Sequence, residues 1–201
     1  MKVKSCVGCK QFPCEDVNKE AYQIPAIDLN PETIKMVVIS EAAPPDVGNN
    51  YYAAGDPLYQ QTTLTAFEDA GFQFDSLSAL LEQGIYFTNA VKCAKTAYAI
   101  KTPTVNACSK ILAEELALFP NMRVIMLMGD VAIKAVNAIA KEAGEPRVIP
   151  AGSTYKIRGE EYSFREIRVF PSYLQVGPSF NIEKSKRHMI AEDISRAMKL
   201  I

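Results

Sequence analysis

The sequence has no apolar run long enough to cross a bilayer, no repeat, no low-complexity linker, no surplus of positive charge and only one histidine. The longest strongly apolar stretches, Met36–Ile39 and Val124–Met128, fall far short of the roughly 20 residues of a spanning helix, so no membrane partner is expected. The first residues, Met-Lys-Val-Lys-Ser-Cys, show neither the apolar core nor the small-residue cleavage site of a signal peptide. A cytoplasmic location is therefore the expectation, and disulfides are rare there. Twenty-two Lys and Arg against 23 Asp and Glu give a net charge of −1 and a sequence pI of about 5.9. A protein that grips nucleic acid mainly by neutralising phosphates is usually basic, so tight, indiscriminate binding is argued against. A local basic stripe remains, in Lys184, Lys186, Arg187 and the lone His188.

The 201 residues, 48% hydrophobic and 22% charged, fit one globular domain, 1–201, expected to act as a monomer. A chain of this length buries roughly 70% of its unfolded surface and needs no covalent staples. Short β-rich runs alternate with helical patterns. Ile34–Ser40, Ile85–Val91 and Arg123–Met128 read as buried strands. Tyr155–Ile157 and Tyr162–Phe170 suggest a hairpin leading into a fourth. Between them lie helical stretches at Gln61–Ala70 and Ser76–Glu82, and a helix opened by Pro103 after Thr102 as N-cap. Val105, Cys108, Ile111, Leu112, Leu116 and Phe119 form one face of that helix. Asp130 is expected to cap another, and a last helix starts near Glu183. Such alternation implies an α/β, three-layer αβα sandwich around a mostly parallel four-stranded sheet. Its functional loops should lie beyond the carboxyl ends of the strands. The loop Glu41–Pro57, about seventeen residues rich in Pro, Gly and Asn, is long enough to suggest function.

Five cysteines then need a reason. Cys6 and Cys9 form a Cys-x2-Cys pair, Cys14 follows, and Cys93 and Cys108 are separated by fourteen residues. Four soft thiolates hold either zinc or an iron–sulfur cluster, and spacing does not choose between them. Cys108, on an apolar helix face, also reads as a small core residue.

Cys-x2-Cys near the start, Thr88-Asn89-Ala90-Val91-Lys92-Cys93 after a strand, and a helix carrying Cys108 resemble the iron–sulfur branch of the uracil-DNA glycosylase superfamily. The resemblance implies a [4Fe–4S] cluster on Cys6, Cys9, Cys93 and Cys108, with zinc as the alternative, tying down an N-terminal segment 1–30. Cys14 has no counterpart in that pattern. Ser40-Glu41-Ala42-Ala43-Pro44 is similar to the family's first motif, commonly Gly-Glu-Ala-Pro-Gly, and departs from it at the glycines. The implied activity is hydrolysis of the N-glycosidic bond of uracil or a related damaged base in DNA. The alternative is a glycosylase-like module that binds a base or nucleic acid with little or no catalysis.

A glycosylase flips the nucleotide out, reads the base edge and stabilises charge as the bond breaks. Glu41 is the carboxylate candidate, though a strand-end Glu is also an ordinary solvated residue. Asn89 matches the family's uracil-reading asparagine, and its amide offers both a donor and an acceptor. A turn or capping role is the other reading for it. Tyr59, Tyr52 and Tyr51 are candidates for the aromatic platform. Phe170, in Phe170-Pro171-Ser172, stands where the family's second motif begins His-Pro-Ser, and is expected against the base. Ser172, Lys184, Lys186 and Arg187 are expected on DNA. Leu174 or Phe180 is expected as a wedge in the base stack.

Overall fold

The computed structural model describes residues 1–201. Six strands, β1 (Val17–Asn18), β2 (Met36–Ala43), β3 (Ile85–Lys95), β4 (Val124–Met128), β5 (Tyr162–Phe164) and β6 (Ile167–Ser172), form one sheet in the order β1-β3-β2-β4-β6-β5. The inner four run parallel, while the two short outer strands pair antiparallel to β3 and β6. The inner strands are nearly continuous apolar runs because helices cover both faces. The helices are α1 (Leu58–Asp69), α2 (Leu77–Glu82), α3 (Thr102–Leu116), α4 (Asp130–Glu142), α5 (Thr154–Ile157), α6 (Ser179–Ile182) and α7 (Lys184–Met198). Side-chain alternation along the strands divides the core in two. Val37, Ile39, Tyr86, Ile125, Leu127 and Val169 pack under α3 and α4. Met36, Val38, Phe87, Met126, Met128 and Phe170 pack against α1, α2 and α7. The architecture is the expected αβα sandwich, with two edge strands added to the four expected.

Three local expectations are corrected. Asp130 does not cap α4 but opens it, with Gly129 as the N-cap. Tyr155–Ile157 lies within a single helical turn, and the hairpin instead joins β5 to β6 through Arg165 and Glu166. Both adopt positive φ, 51° and 67°, as a two-residue turn matched to strand twist requires. Thr102 does not cap α3; the N-cap is Lys101, whose own side chain makes no capping bond. The carboxylate of Asp16 does the work from the N-terminal segment, accepting from Lys101 N at 2.6 Å and from the Thr104 hydroxyl. Such an acceptor satisfies N–H groups that the first helical turn leaves open. No helix is long and apolar enough to cross a membrane.

The middle of β3 is irregular. Ala42 pairs with Val91 but Ala43 pairs with Ala94, so Lys92 and Cys93 form a bulge. The Lys92 side chain is wholly buried there and ion-paired with Glu115 of α3, which is equally buried. Its Nζ also donates to Thr88 Oγ1 at 2.8 Å and to the Asn89 carbonyl at 2.7 Å. Glu115 Oε1 accepts from the Tyr86 hydroxyl at 2.6 Å and from Thr88 Oγ1 at 2.9 Å. Removing one partner strands a charge in the core, which costs about 3–5 kcal/mol, whereas replacing both with apolar groups is often neutral. Lys92→Met is therefore expected to lower the unfolding free energy by about 3–5 kcal/mol in urea titrations, and adding Glu115→Leu to recover much of it. A single replacement costing under ~1 kcal/mol would show that the pair is dispensable.

Candidate active site

The loops after β2, β3, β4 and β6 open at one sheet edge, where α/β proteins bind ligands. A cleft of about 440 Å³ there is lined by Glu41, Lys95, Asp130, Lys134, Leu174 and Lys186, among others. A smaller one of about 230 Å³ shares Glu41, Lys95 and Leu174 and adds Ala42, Ala43 and Tyr59. Glu41 is the residue around which both are built. Its carboxylate lies 3.7 Å from Lys95 Nζ and against the first turn of α4. Gly129 permits that approach: it has φ 100°, and a Cβ on it would stand 2.6 Å from Glu41 Oε1. Any other residue there would strain the backbone and displace the carboxylate. Tyr59 flanks the smaller cleft, with its hydroxyl donating to the Ala42 carbonyl at 3.1 Å. Burial, then the charge of Glu41, raises its phenol well above the usual range.

Behind the cleft lies a buried polar layer. Ser40 and Asn89 are register partners on β2 and β3 and so share a sheet face. The Ser40 hydroxyl pairs with Tyr51 Oη at 2.6 Å and donates to Gln175 Oε1 at 3.3 Å. Gln175 Nε2 donates back to Tyr51 Oη at 2.8 Å. These three buried groups close a ring in which each donor has an acceptor. Burial keeps the Tyr51 phenol protonated far above neutral pH. The edge of the Tyr51 ring meets Tyr59 at 5.3 Å between centroids, linking the ring to the cleft. Asn89 is 4% exposed and donates from Nδ2 to Asn50 Oδ1 at 2.9 Å, while its own Oδ1 is buried without a partner. Asn50 and Gln175 went unnoticed in the sequence because amides in Pro- and Gly-rich loops carry no pattern.

Other expected positions fall elsewhere. Phe170 is in the core beneath α7, with the Arg168 and Arg196 guanidiniums 4.9 and 5.7 Å from its ring centre. It does not line the clefts. Ser172 is fully buried and donates to Asp193 Oδ2 at 2.6 Å, so its hydroxyl is not offered to a phosphate. Tyr52 stacks on Tyr86 and accepts the Phe87 N–H at 2.9 Å, a packing role at a positive φ of 62°. Arg187 is held by Asp69 and sits 5.3 Å from the buried Phe180 ring, and both line the larger cleft. Lys186 pairs with Glu183 yet lines the cleft, Lys184 is exposed, and Leu174 lines both clefts as a half-buried side chain. His188 is 78% exposed and 3.3 Å from Glu192, away from the clefts.

The cysteines also regroup. Cys93 and Cys108 are buried, and Cys9 and Cys14 pack half-buried against the same apolar cluster. Cys6 points outward, its thiol directed at the Lys2 carbonyl 3.5 Å away. Cys14, which has no counterpart in the expected ligand pattern, shares that apolar cluster. Burial pushes the Cys93 thiol up to about 12 and Cys108 to about 11, with the charges of neighbouring thiols adding to both shifts. Phe12 N donates to Cys9 Sγ at 3.2 Å, and Cys9 N donates to the Tyr22 hydroxyl at 2.7 Å. Thiolate ligands of one ion must converge on it, and a cationic centre would relieve the repulsion among them. No three His, Cys, Asp or Glu side chains stand close enough to hold one ion.

No curated protein matches the sequence. A family model described as the uracil DNA glycosylase superfamily matches residues 27–191, most of the chain and every strand of the sheet but the edge strand β1. The chain belongs to the uracil-DNA glycosylase superfamily.

Proposed function

We propose that the chain removes uracil or a related deaminated base from DNA by hydrolysing the N-glycosidic bond. The observation that carries this is the buried Asn89 carbonyl oxygen, left without a partner on β3 opposite Ser40, the residue before Glu41. A buried acceptor without a donor costs roughly 1–3 kcal/mol, and the N–H of a flipped base supplies that donor. Water attacks C1′ of the deoxyribose as the bond to the base breaks. The bonding pair leaves with the base, Glu41 takes the proton from the water, and its charge stabilises the sugar cation that develops. Tyr59 supplies an aromatic face beside the cleft. Lys95, Lys134, Lys184 and Lys186 are the cations available to the backbone.

One observation favours the second reading, a base-binding module. No imidazole reaches the cleft to donate to the departing base, since the lone His188 faces solvent. Incubating the chain with uracil-containing single- and double-stranded DNA and then alkali separates the two. Strand breaks at uracil are expected, and Glu41→Gln should slow them by about 10²–10⁴-fold. Binding of uracil-containing DNA without breaks would leave the module.

A [4Fe–4S] cluster is part of this reading, with Cys9, Cys14, Cys93 and Cys108, which pack against one apolar cluster, as its ligands once the thiols draw closer than they stand in this structure. Those cysteines would then tie the N-terminal segment to β3 and α3, a structural role apart from the hydrolysis. Cys14→Ser is expected to lose iron and visible absorbance, while Cys6→Ser keeps both. Stoichiometric zinc in a colourless protein would replace the cluster with the other metal, and iron loss in Cys6→Ser would overturn the ligand set.

A further inference from the structure

An amide side chain has two nearly identical ends, and only its partners decide which is oxygen. For Asn89 that choice fixes which base it reads. With its oxygen toward the base it meets a ring N–H, as in uracil; reversed, it presents N–H to a ring nitrogen acceptor, as in cytosine.

The partners of Asn89 form a relay anchored at both ends by main-chain groups, which cannot reverse. At one end the Val47 carbonyl accepts from Gln23 Nε2 at 3.0 Å. Gln23 Oε1 is thereby turned to accept from Asn50 Nδ2. Asn50 Oδ1 in turn accepts the Tyr51 backbone N–H at 2.9 Å, the second anchor, and Asn89 Nδ2 at 2.9 Å. Turning Asn89 over would set its oxygen against Asn50 Oδ1. Turning Asn50 to relieve that would set an NH2 against the Tyr51 N–H and an oxygen against Gln23 Oε1. Turning Gln23 as well would set its oxygen against the Val47 carbonyl. No reversal escapes a clash of like groups. Gln23 is itself held in place, its backbone N–H donating to the Lys92 carbonyl at 2.7 Å. It precedes the matched family region 27–191, so its role belongs to this chain's own N-terminal segment.

We infer that Gln23 and Asn50 are positioning residues that lock the Asn89 amide with its oxygen toward the ligand, restricting the site to bases with a ring N–H beside a carbonyl. Uracil, hypoxanthine and xanthine have this lactam edge; cytosine does not. The inference rests on the reading of Asn89 as the base reader.

The test measures binding and excision with single-stranded oligonucleotides carrying one uracil or one cytosine at the same position. Asn50→Leu removes the partner of Asn89 Nδ2 and should reduce the uracil-over-cytosine preference by about tenfold or more, one misdirected hydrogen bond's worth. Asn50→Asp keeps an acceptor toward both Asn89 and the Tyr51 N–H, and should retain the preference despite its buried charge. A merely structural role predicts the reverse, because burying a carboxylate disturbs packing more than burying leucine. Gln23→Met, at a half-exposed position, should narrow the preference several-fold with the melting temperature little changed. It provides the answer if Asn50→Leu fails to fold. A wild-type protein that prefers uracil, with variants that prefer it equally, overturns the relay alone. A wild-type protein with no preference for uracil overturns the reading of Asn89 and the relay together.

Discussion

The buried ion pair of Lys92 and Glu115 is the constraint on which the site depends. Two fully buried charges persist only when geometry and further hydrogen bonds compensate their desolvation. Here Tyr86, Thr88 and the Asn89 carbonyl complete the shell. The bulge that turns Lys92 inward also places Cys93 beside Cys108, whose sulfur lies within hydrogen-bond reach of the Lys92 backbone. The Lys92 carbonyl receives the Gln23 N–H. One residue thus joins the strand that carries Asn89, the helix that carries Cys108 and the N-terminal segment that carries Gln23.

The N-terminal segment is for this reason part of the site. It caps α3 through Asp16, brings Cys9 and Cys14 to the thiol cluster and reaches Asn50 through Gln23. The chemistry at the mouth is separate, with Glu41 set between Lys95 and the close approach at Gly129.

Much of the layered fold was legible, because the inner strands are apolar runs and the long helices have clear faces. The presence of α3 and α7 and the buried face from Val105 to Leu116 follow from helical spacing, while Phe119 packs beyond the end of α3. The edge strands β1 and β5, two and three residues long, are too short to show alternation. The burial of Phe170 and of Ser172, the last residue of β6, was not legible from adjacency in sequence, because it depends on the packing of α7 over that strand. The Cys-x2-Cys spacing gave no sign that Cys14, beyond the turn at Phe12 with φ 46°, packs against the same apolar cluster as Cys9. The amide relay was invisible because its members, Gln23, Asn50 and Asn89, are joined only by tertiary contacts.

The central claim is that Asn89 offers a fixed carbonyl oxygen to a base N–H. A crystal structure of the full chain with free uracil tests it most directly. The account predicts uracil N3 at about 2.7–3.2 Å from Asn89 Oδ1, with Asn89 Nδ2 still on Asn50. Uracil bound elsewhere, or an Asn89 amide turned with its nitrogen toward the base, would contradict it.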